Sequence, residues 1–190
     1  MHLGLKNKLQ SELVRNSARL LSANVVAQAI GILVYPILTR MYTPDDFGLL
    51  NLFMSIGGIL VLVSTADYQN AIVLPKENHR ARSLVQLCLV LLAITISALI
   101  LSIPFSRPVA ALFKTPDLAH WWWLMPFYVG GLSMWVILSN YYIRHKSFRR
   151  ISFYQIAQSV LNACGKMGFG ALGWLSGGLI VSTILAPILA

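Results

Sequence analysis

Charge is what this sequence has least of. Charged residues make up 11% of its 190 positions, against about 25% in an ordinary soluble domain. The scarcity is also uneven. No charged residue stands between Arg19 and Arg40, between Asp46 and Asp67, between Arg82 and Arg107, or between Asp117 and Arg144, gaps of 20, 20, 24 and 26 residues. A helix needs about 20 apolar residues to cross a hydrocarbon core about 30 Å thick. Four such runs in succession exclude a soluble fold. They predict an all-α, polytopic membrane helix bundle with room for about six spans.

Acids are scarcer than bases, six against fifteen, for a net charge of +9. The excess does not point to nucleic acid, because the cations sit in the loops that flank spans, where membrane orientation accounts for them. The expected surroundings are the lipid bilayer. Cysteine is nearly missing. Cys88 and Cys164 lie inside apolar runs without metal-ligand spacing, which argues against a disulfide framework and for two small apolar helix residues. Enzyme motifs are missing too: no glycine-rich phosphate loop, His-Glu zinc motif or nucleophile elbow occurs. His2, His79, His120 and His145 sit at tails or loop edges. The expectation is a protein that is not an enzyme and uses no cofactor or metal. Ala27-Gln28-Ala29 faintly resembles a cleavage site, but the apolar run continues to Thr39, too long for a signal core.

Residues 1–17 are polar and basic, with Leu5, Leu9 and Leu13 on one stripe beside Lys6, Lys8 and Arg15. They read as an interfacial helix ahead of a transmembrane bundle over 18–190. The first span is expected over about 19–39. Thr43-Pro44-Asp45-Asp46 then forms a helix start, with a hydroxyl cap, proline in the first turn and acids at the positive end of the dipole. The second span covers about 47–66, the third about 83–103 and the fourth about 120–143, with loops at 67–82, 105–119 and 144–150. Trp121-Trp122-Trp123 at the start of the fourth span reads as an interface anchor. Pro36, Pro104 and Pro126 fall in or near spans, where proline is common.

The amino-terminal tail and the second and fourth loops carry four, three and four Lys plus Arg, the first and third loops one and two. The positive-inside rule therefore puts the amino terminus in the cytoplasm. Residues 151–172 read as a fifth span, and Gly173 through Gly178 as a turn. The 12 residues from Leu179 to Ala190 reach only about 18 Å as a helix. On that ground the last span is expected to be incomplete and the chain to be a fragment of a longer protein.

Lys166 is the leading functional candidate. It lies 16 residues after Arg150, about 24 Å along a helix, and an ionisable group at such depth usually faces a cavity or a partner. Gln155, Gln158, Asn162 and Lys166 recur every three or four residues, so they share one helix face. Two readings stand. The stripe lines an aqueous cavity for a polar or anionic substrate, or its amides bond neighbouring helices while Lys166 snorkels to the interface. Arg40 and Arg144, at span ends, are candidate phosphate ligands or interface anchors. Asp67, at the inner end of the second span, is a candidate proton or ion site, or a hydrated interface acid.

The stretch Asn24 through Gly48 resembles the start of bacterial polysaccharide flippases of the O-antigen type, within the multidrug/oligosaccharidyl-lipid/polysaccharide exporter superfamily. The most specific part is Pro36, Arg40, Tyr42, Pro44, Phe47 and Gly48; Tyr68 through Lys76 is similar as well. The resemblance implies two six-helix bundles around a central cavity, of which this chain would be the amino-terminal one. It further implies a cytoplasmic-membrane protein that carries an undecaprenyl-diphosphate-linked oligosaccharide to the periplasmic leaflet by alternating access. Polysaccharide polymerase and chain-length proteins would be partners, and a second copy of the chain if it stands alone. Within that frame Arg40 and Lys166 are the cations for a diphosphate or acidic sugar. The competing classes are a cation-coupled multidrug antiporter half, which calls for a carboxylate within a span, and a half-size scaffold of a polysaccharide assembly complex. A membrane glycosyl polymerase would call for a large exterior loop, which is missing.

Overall fold

The structure, a computed structural model, describes residues 2–75 and 77–190, leaving aside the side chains of 2–14, 16, 17 and 175. The Leu5, Leu9, Leu13 stripe and the cations Lys6, Lys8 and Lys76 thus lie outside the described side chains.

Helices α1 (His2–Met41), α2 (Pro44–Thr65), α3 (Tyr68–Ala71), α4 (Asn78–Ser102), α5 (Ser106–Leu112), α6 (Asp117–Trp121), α7 (Met125–Arg144), α8 (Phe148–Ala171) and α9 (Leu175–Leu189) follow one another, with no strand among the described residues. Among the described residues four stretches are long and apolar enough to cross a membrane: Ala18–Met41, Pro44–Thr65, Asn78–Leu112 and Asp117–Arg144. Large apolar side chains such as Ile32, Leu33, Ile59 and Leu101 point outward, each more than 60% exposed, which in water would make an aggregating surface. The chain is an all-α membrane helix bundle. Helix α8 has the length for a span, with 24 residues or about 36 Å, and its polar stripe keeps it out of the most apolar set.

The start of α2 is built as its sequence dictates. The Thr43 hydroxyl accepts from the Asp46 amide at 3.3 Å, while an Asp46 carboxylate oxygen accepts from the Thr43 amide at 2.9 Å, a reciprocal cap that satisfies two otherwise orphan donors. Behind it, α2 packs on α7. Phe53 and Tyr128 meet at 5.4 Å between ring centroids, and both belong to a core with Leu50, Met125, Val129 and Ile180. A smaller cluster, Ile72, Cys88, Leu92 and Ile137, joins α4 to α7. Cys88 and Cys164 are both free thiols, the first buried and the second exposed.

Four expectations change in detail. The backbone from His2 to Met41 is one helix, so nothing breaks it between the basic segment and the first span. The loop expected over 105–119 is largely helical, a 3-10 turn at Ile103–Phe105 leading into α5, and then α6. Pro104 and Pro108 occupy first turns, where a missing N–H costs nothing. The turn expected over 173–178 is confined to 172–174. Gly173 takes the left-handed conformation at φ 73°, and the Gly173 and Trp174 amides donate to the Gly170 and Phe169 carbonyls, a glycine-ended helix stop. Gly177 and Gly178 instead lie inside α9 and serve close packing: a Cβ at Gly178 would stand 2.5 Å from the Phe169 Cβ, and one at Gly177 2.6 Å from the Trp121 ring. The tryptophan triplet, finally, does not act as one anchor. A 3-10 turn at Trp122–Leu124 rotates its members apart. Trp122 is buried and donates its indole N–H to Ser102 Oγ at 3.0 Å, Trp121 packs toward Gly177, and Trp123 alone of the three is exposed.

The helix ends sort the charges. Arg144 ties the end of α7 to the α3–α4 turn, and Ser152 near the start of α8 donates to the Arg19 carbonyl of α1 at 3.4 Å. One end of the bundle therefore gathers Arg15, Arg19, Arg80, Arg82, Arg144, Lys146, Arg149 and Arg150. The other, less basic end holds Arg40, Arg107 and Lys114.

Candidate functional site

The polar stripe of α8 lines a cavity. Gln155, Gln158, Asn162 and Lys166 form one wall of a space of about 670 Å³, bounded by α1, α2 and Trp135 of α7. The three- to four-residue spacing puts these side chains on one face, and packing turns that face toward α1. Across the cavity stand Asn24 and Tyr35 of α1 and Asn51 of α2, while Ser159 joins the α8 wall. Sequence reasoning missed these four. Isolated polar residues in spans are their only signal, and which of them share a space depends on how α1 and α2 rotate against α8.

Two hydrogen bonds staple the wall together. Ser159 donates to the Ala27 carbonyl at 2.8 Å. At the less basic end, the Tyr42 hydroxyl donates to the Lys166 carbonyl at 2.6 Å. Tyr42 sits beyond the end of α1, buried against Gly170 and Gly178. Burial, with Asp46 adding a smaller push, raises its phenol above the ordinary 10.0, so the hydroxyl stays a donor at any physiological pH. Tyr42 thereby fixes the register of α8, and with it the height of Lys166. The Lys166 side chain is half-buried at the cavity wall. The buried Oε1 of Gln155 has no hydrogen-bond partner, and a buried acceptor left open marks a place where a donor is expected.

The remaining candidates lie elsewhere. Arg40 is exposed at the end of α1 and does not line the cavity. Arg144 faces the α3–α4 turn. One guanidinium nitrogen donates to the carbonyls of Ile72 and Pro75, the other to Asn78 Oδ1 at 3.1 Å, so the side chain bridges helix ends. Asp67 is in the left-handed conformation at φ 62°. Its carboxylate accepts from Gln69 Nε2 at 3.0 Å and Asn70 Nδ2 at 2.8 Å, which organises the turn after α2. The structure brings together Lys166, Gln155, Gln158 and Asn162 but not Arg40, Arg144 or Asp67. No group of three or more His, Cys, Asp or Glu suited to a metal occurs among the described residues.

Among the described residues the cavity walls thus offer amides, hydroxyls and one cation, and no carboxylate. Such a lining suits a neutral or anionic polyol. Residues 13–187 match the family model described as polysaccharide biosynthesis protein. The chain belongs to that family. No curated protein and no solved structure matches it significantly. For this polysaccharide biosynthesis protein the match takes in every cavity residue named above, and also the Pro36–Gly48 stretch that carries the resemblance.

Proposed function

We propose that the protein moves a lipid-linked oligosaccharide across the bacterial cytoplasmic membrane, and that the cavity between α1, α2 and α8 receives its polar part. The supporting observation is the convergence of the α8 stripe with Asn24 and Asn51 on one open-sided cavity of a membrane bundle, together with membership of a polysaccharide biosynthesis family. Amides and hydroxyls match sugar hydroxyls, which both donate and accept. Lys166 supplies the positive charge for a phosphate or an acidic sugar. In this reading the substrate is an undecaprenyl-diphosphate-linked unit of O-antigen or another surface polysaccharide. The basic end of the bundle is cytoplasmic, and transfer proceeds by alternating access. A proton- or sodium-coupled drug antiporter fits less well, since no carboxylate lines the cavity and Asp67 is engaged in its turn.

The test is Lys166→Gln and Lys166→Arg in cells whose surface polysaccharide depends on the protein. A charge-assisted contact to phosphate is worth enough that its loss lowers transport by about tenfold or more. Lys166→Gln should therefore accumulate lipid-linked oligosaccharide in the cytoplasmic leaflet, while Lys166→Arg retains most export. Unchanged export by Lys166→Gln at normal membrane abundance would reduce Lys166 to an anchor and remove the cationic part of the proposal.

A further inference from the structure

A second and larger space lies on the other side of Trp135. It measures about 850 Å³ and runs between α7, α8 and the end of α9. Its floor is fixed. Trp135 stacks on Tyr154 with ring centroids 3.3 Å apart and planes within 12°, and the Tyr154 hydroxyl donates to the Pro187 carbonyl at 2.9 Å. Trp135 lines both spaces, so this aromatic pair is the partition between the polar cavity and the groove.

The groove is graded in polarity. Toward the membrane interior its walls are Gly131, Met134, Leu138, Phe153 and Ile188; at the basic end of the bundle they are Tyr142, Arg149 and Arg150. Phe153 and Ile188 are exposed at 71% and 53%, so the groove opens sideways. Arg150 lies over the Tyr142 ring at 5.6 Å, which holds the guanidinium at the mouth and leaves its N–H fork for an acceptor. Among the described residues the ion pairs fall on Glu77, and neither Arg149 nor Arg150 takes part in one.

We propose that this groove is a binding site for an anionic phospholipid, with its phosphate on Arg149 and Arg150 and one acyl chain along α7 and α8 to Gly131. The length supports a lipid. From Tyr142 to Gly131 is eleven residues of α7, roughly 17 Å, close to the half-thickness of a hydrocarbon core of about 30 Å. The order of the lining supports it too, cations at the headgroup level and apolar walls beneath. Basic pockets between spans are where anionic headgroups bind. The site is independent of what the polar cavity carries. A lipid seated there would brace the Trp135–Tyr154 partition from its apolar side.

The experiment uses the whole purified protein in phosphatidylcholine vesicles containing a rising minor fraction of brominated phosphatidylglycerol, or the same fractions of brominated phosphatidylcholine. Bromine quenches nearby indole fluorescence. The Trp135 signal is the difference between the protein and its Trp135→Phe variant, since Trp121, Trp122, Trp123 and Trp174 lie at the opposite end of the bundle. The expected result is quenching of Trp135 at lower fractions of the anionic lipid, by roughly fivefold for each arginine. That preference should be lost in Arg149→Gln/Arg150→Gln, with the unfolding temperature unchanged. Retention of phosphatidylglycerol by the detergent-purified protein in native mass spectrometry should fall in parallel. Equal quenching by the two lipids, quenching by neither, or a preference that survives the double substitution would each overturn the proposal.

Discussion

The seam between α2 and α7 and the seam between α1 and α8 use the same kinds of residue to opposite ends. In the first, Ser64 and Ser133 share a hydrogen bond at 2.7 Å, both fully buried, and Gly57 lets the Tyr128 ring lie against the α2 backbone. In the second, Ser152, Ser159 and Tyr42 tie the helices at three points, and beside these points the polar side chains face an open volume. Of the apolar window of the first span only 6% is buried, against 44% for Asp117–Arg144, so α1 packs along α8 and leaves the rest of its surface outward, while α7 is surrounded by protein. Inside a bilayer there is little hydrophobic drive to close a gap between helices, and small residues with matched hydrogen bonds do the joining. Where those matches are complete the seam is dry. Where polar groups outnumber their matches, a cavity persists, and that is where a polar substrate can be held.

The sharpest way to break the contrast is at glycine. A Cβ at Gly57 would stand 2.3 Å from Tyr128 Cε1, and the ring cannot retreat because it is buried against Phe53. Gly31, on the α1 wall of the cavity, has nothing within 4 Å of the same construction. Gly57→Leu is expected to cost about 3 kcal/mol through overpacking and to lower the unfolding temperature in detergent by roughly 10 °C. Gly31→Ala should hold or raise stability by up to about 1 kcal/mol, since glycine is a poor helix former. If both substitutions are equally damaging, α1 and α8 are as tightly packed as α2 and α7, and the distinction fails.

Tyr42, in the turn between α1 and α2, ties down the α8 side of the open seam. Tyr42→Phe removes the donor to the Lys166 carbonyl, a net loss of about 1 kcal/mol, or an unfolding temperature lower by roughly 2–4 °C. The pH dependence follows from the raised phenol. In the unfolded chain the group ionises near its ordinary 10.0, while the folded protein still holds the proton. Its contribution is therefore fully present below about pH 10 and is lost as the pH rises through the folded value. Tyr42→Phe should flatten that alkaline loss. An alkaline limb equal in the two proteins, measured by thermal unfolding across pH 9–11, would assign the loss to other groups.

Much of this was legible in the sequence wherever a single helix carries the information. The gaps in charge gave four long apolar helices. Thr43 and Asp46 gave the cap of α2, and the three- to four-residue spacing gave the shared face of Gln155, Gln158, Asn162 and Lys166. What failed depends on neighbours. The three adjacent tryptophans look alike in sequence, yet a 3-10 turn sends Trp122 to Ser102 and leaves Trp123 outside. Gly177 and Gly178 read as a turn because glycine is a local signal for one, whereas their use lies in Trp121, Phe169 and Tyr42 from distant helices. The opposite wall of the cavity, Asn24, Tyr35 and Asn51, is set by the rotation of α1 and α2, which no local period encodes. Arg144 shows the same limit: its position at a span end allows a phosphate ligand or an interface anchor, and its bonds to the carbonyls of a loop some seventy residues earlier depend on how distant segments meet.

The smallest effect tests the comparison most directly, because it changes one hydroxyl on each side. Ser133→Ala removes the Ser64 partner from a buried site. Ser64 still donates to the Val61 carbonyl at 2.8 Å, so no donor is orphaned, and the cost should sit near the membrane average of about 0.6 kcal/mol, roughly 2 °C in unfolding temperature. Ser159→Ala removes the donor to the Ala27 carbonyl, but that carbonyl lies in a continuous helix beside a cavity, where its helical partner and water remain. Its stability cost should be smaller. If Ser159→Ala is instead the more destabilising of the two in the same detergent, the α1–α8 contact is a structural clasp rather than the edge of an open site. The polar stripe of α8 would then be holding helices together, which is the other reading its spacing allows.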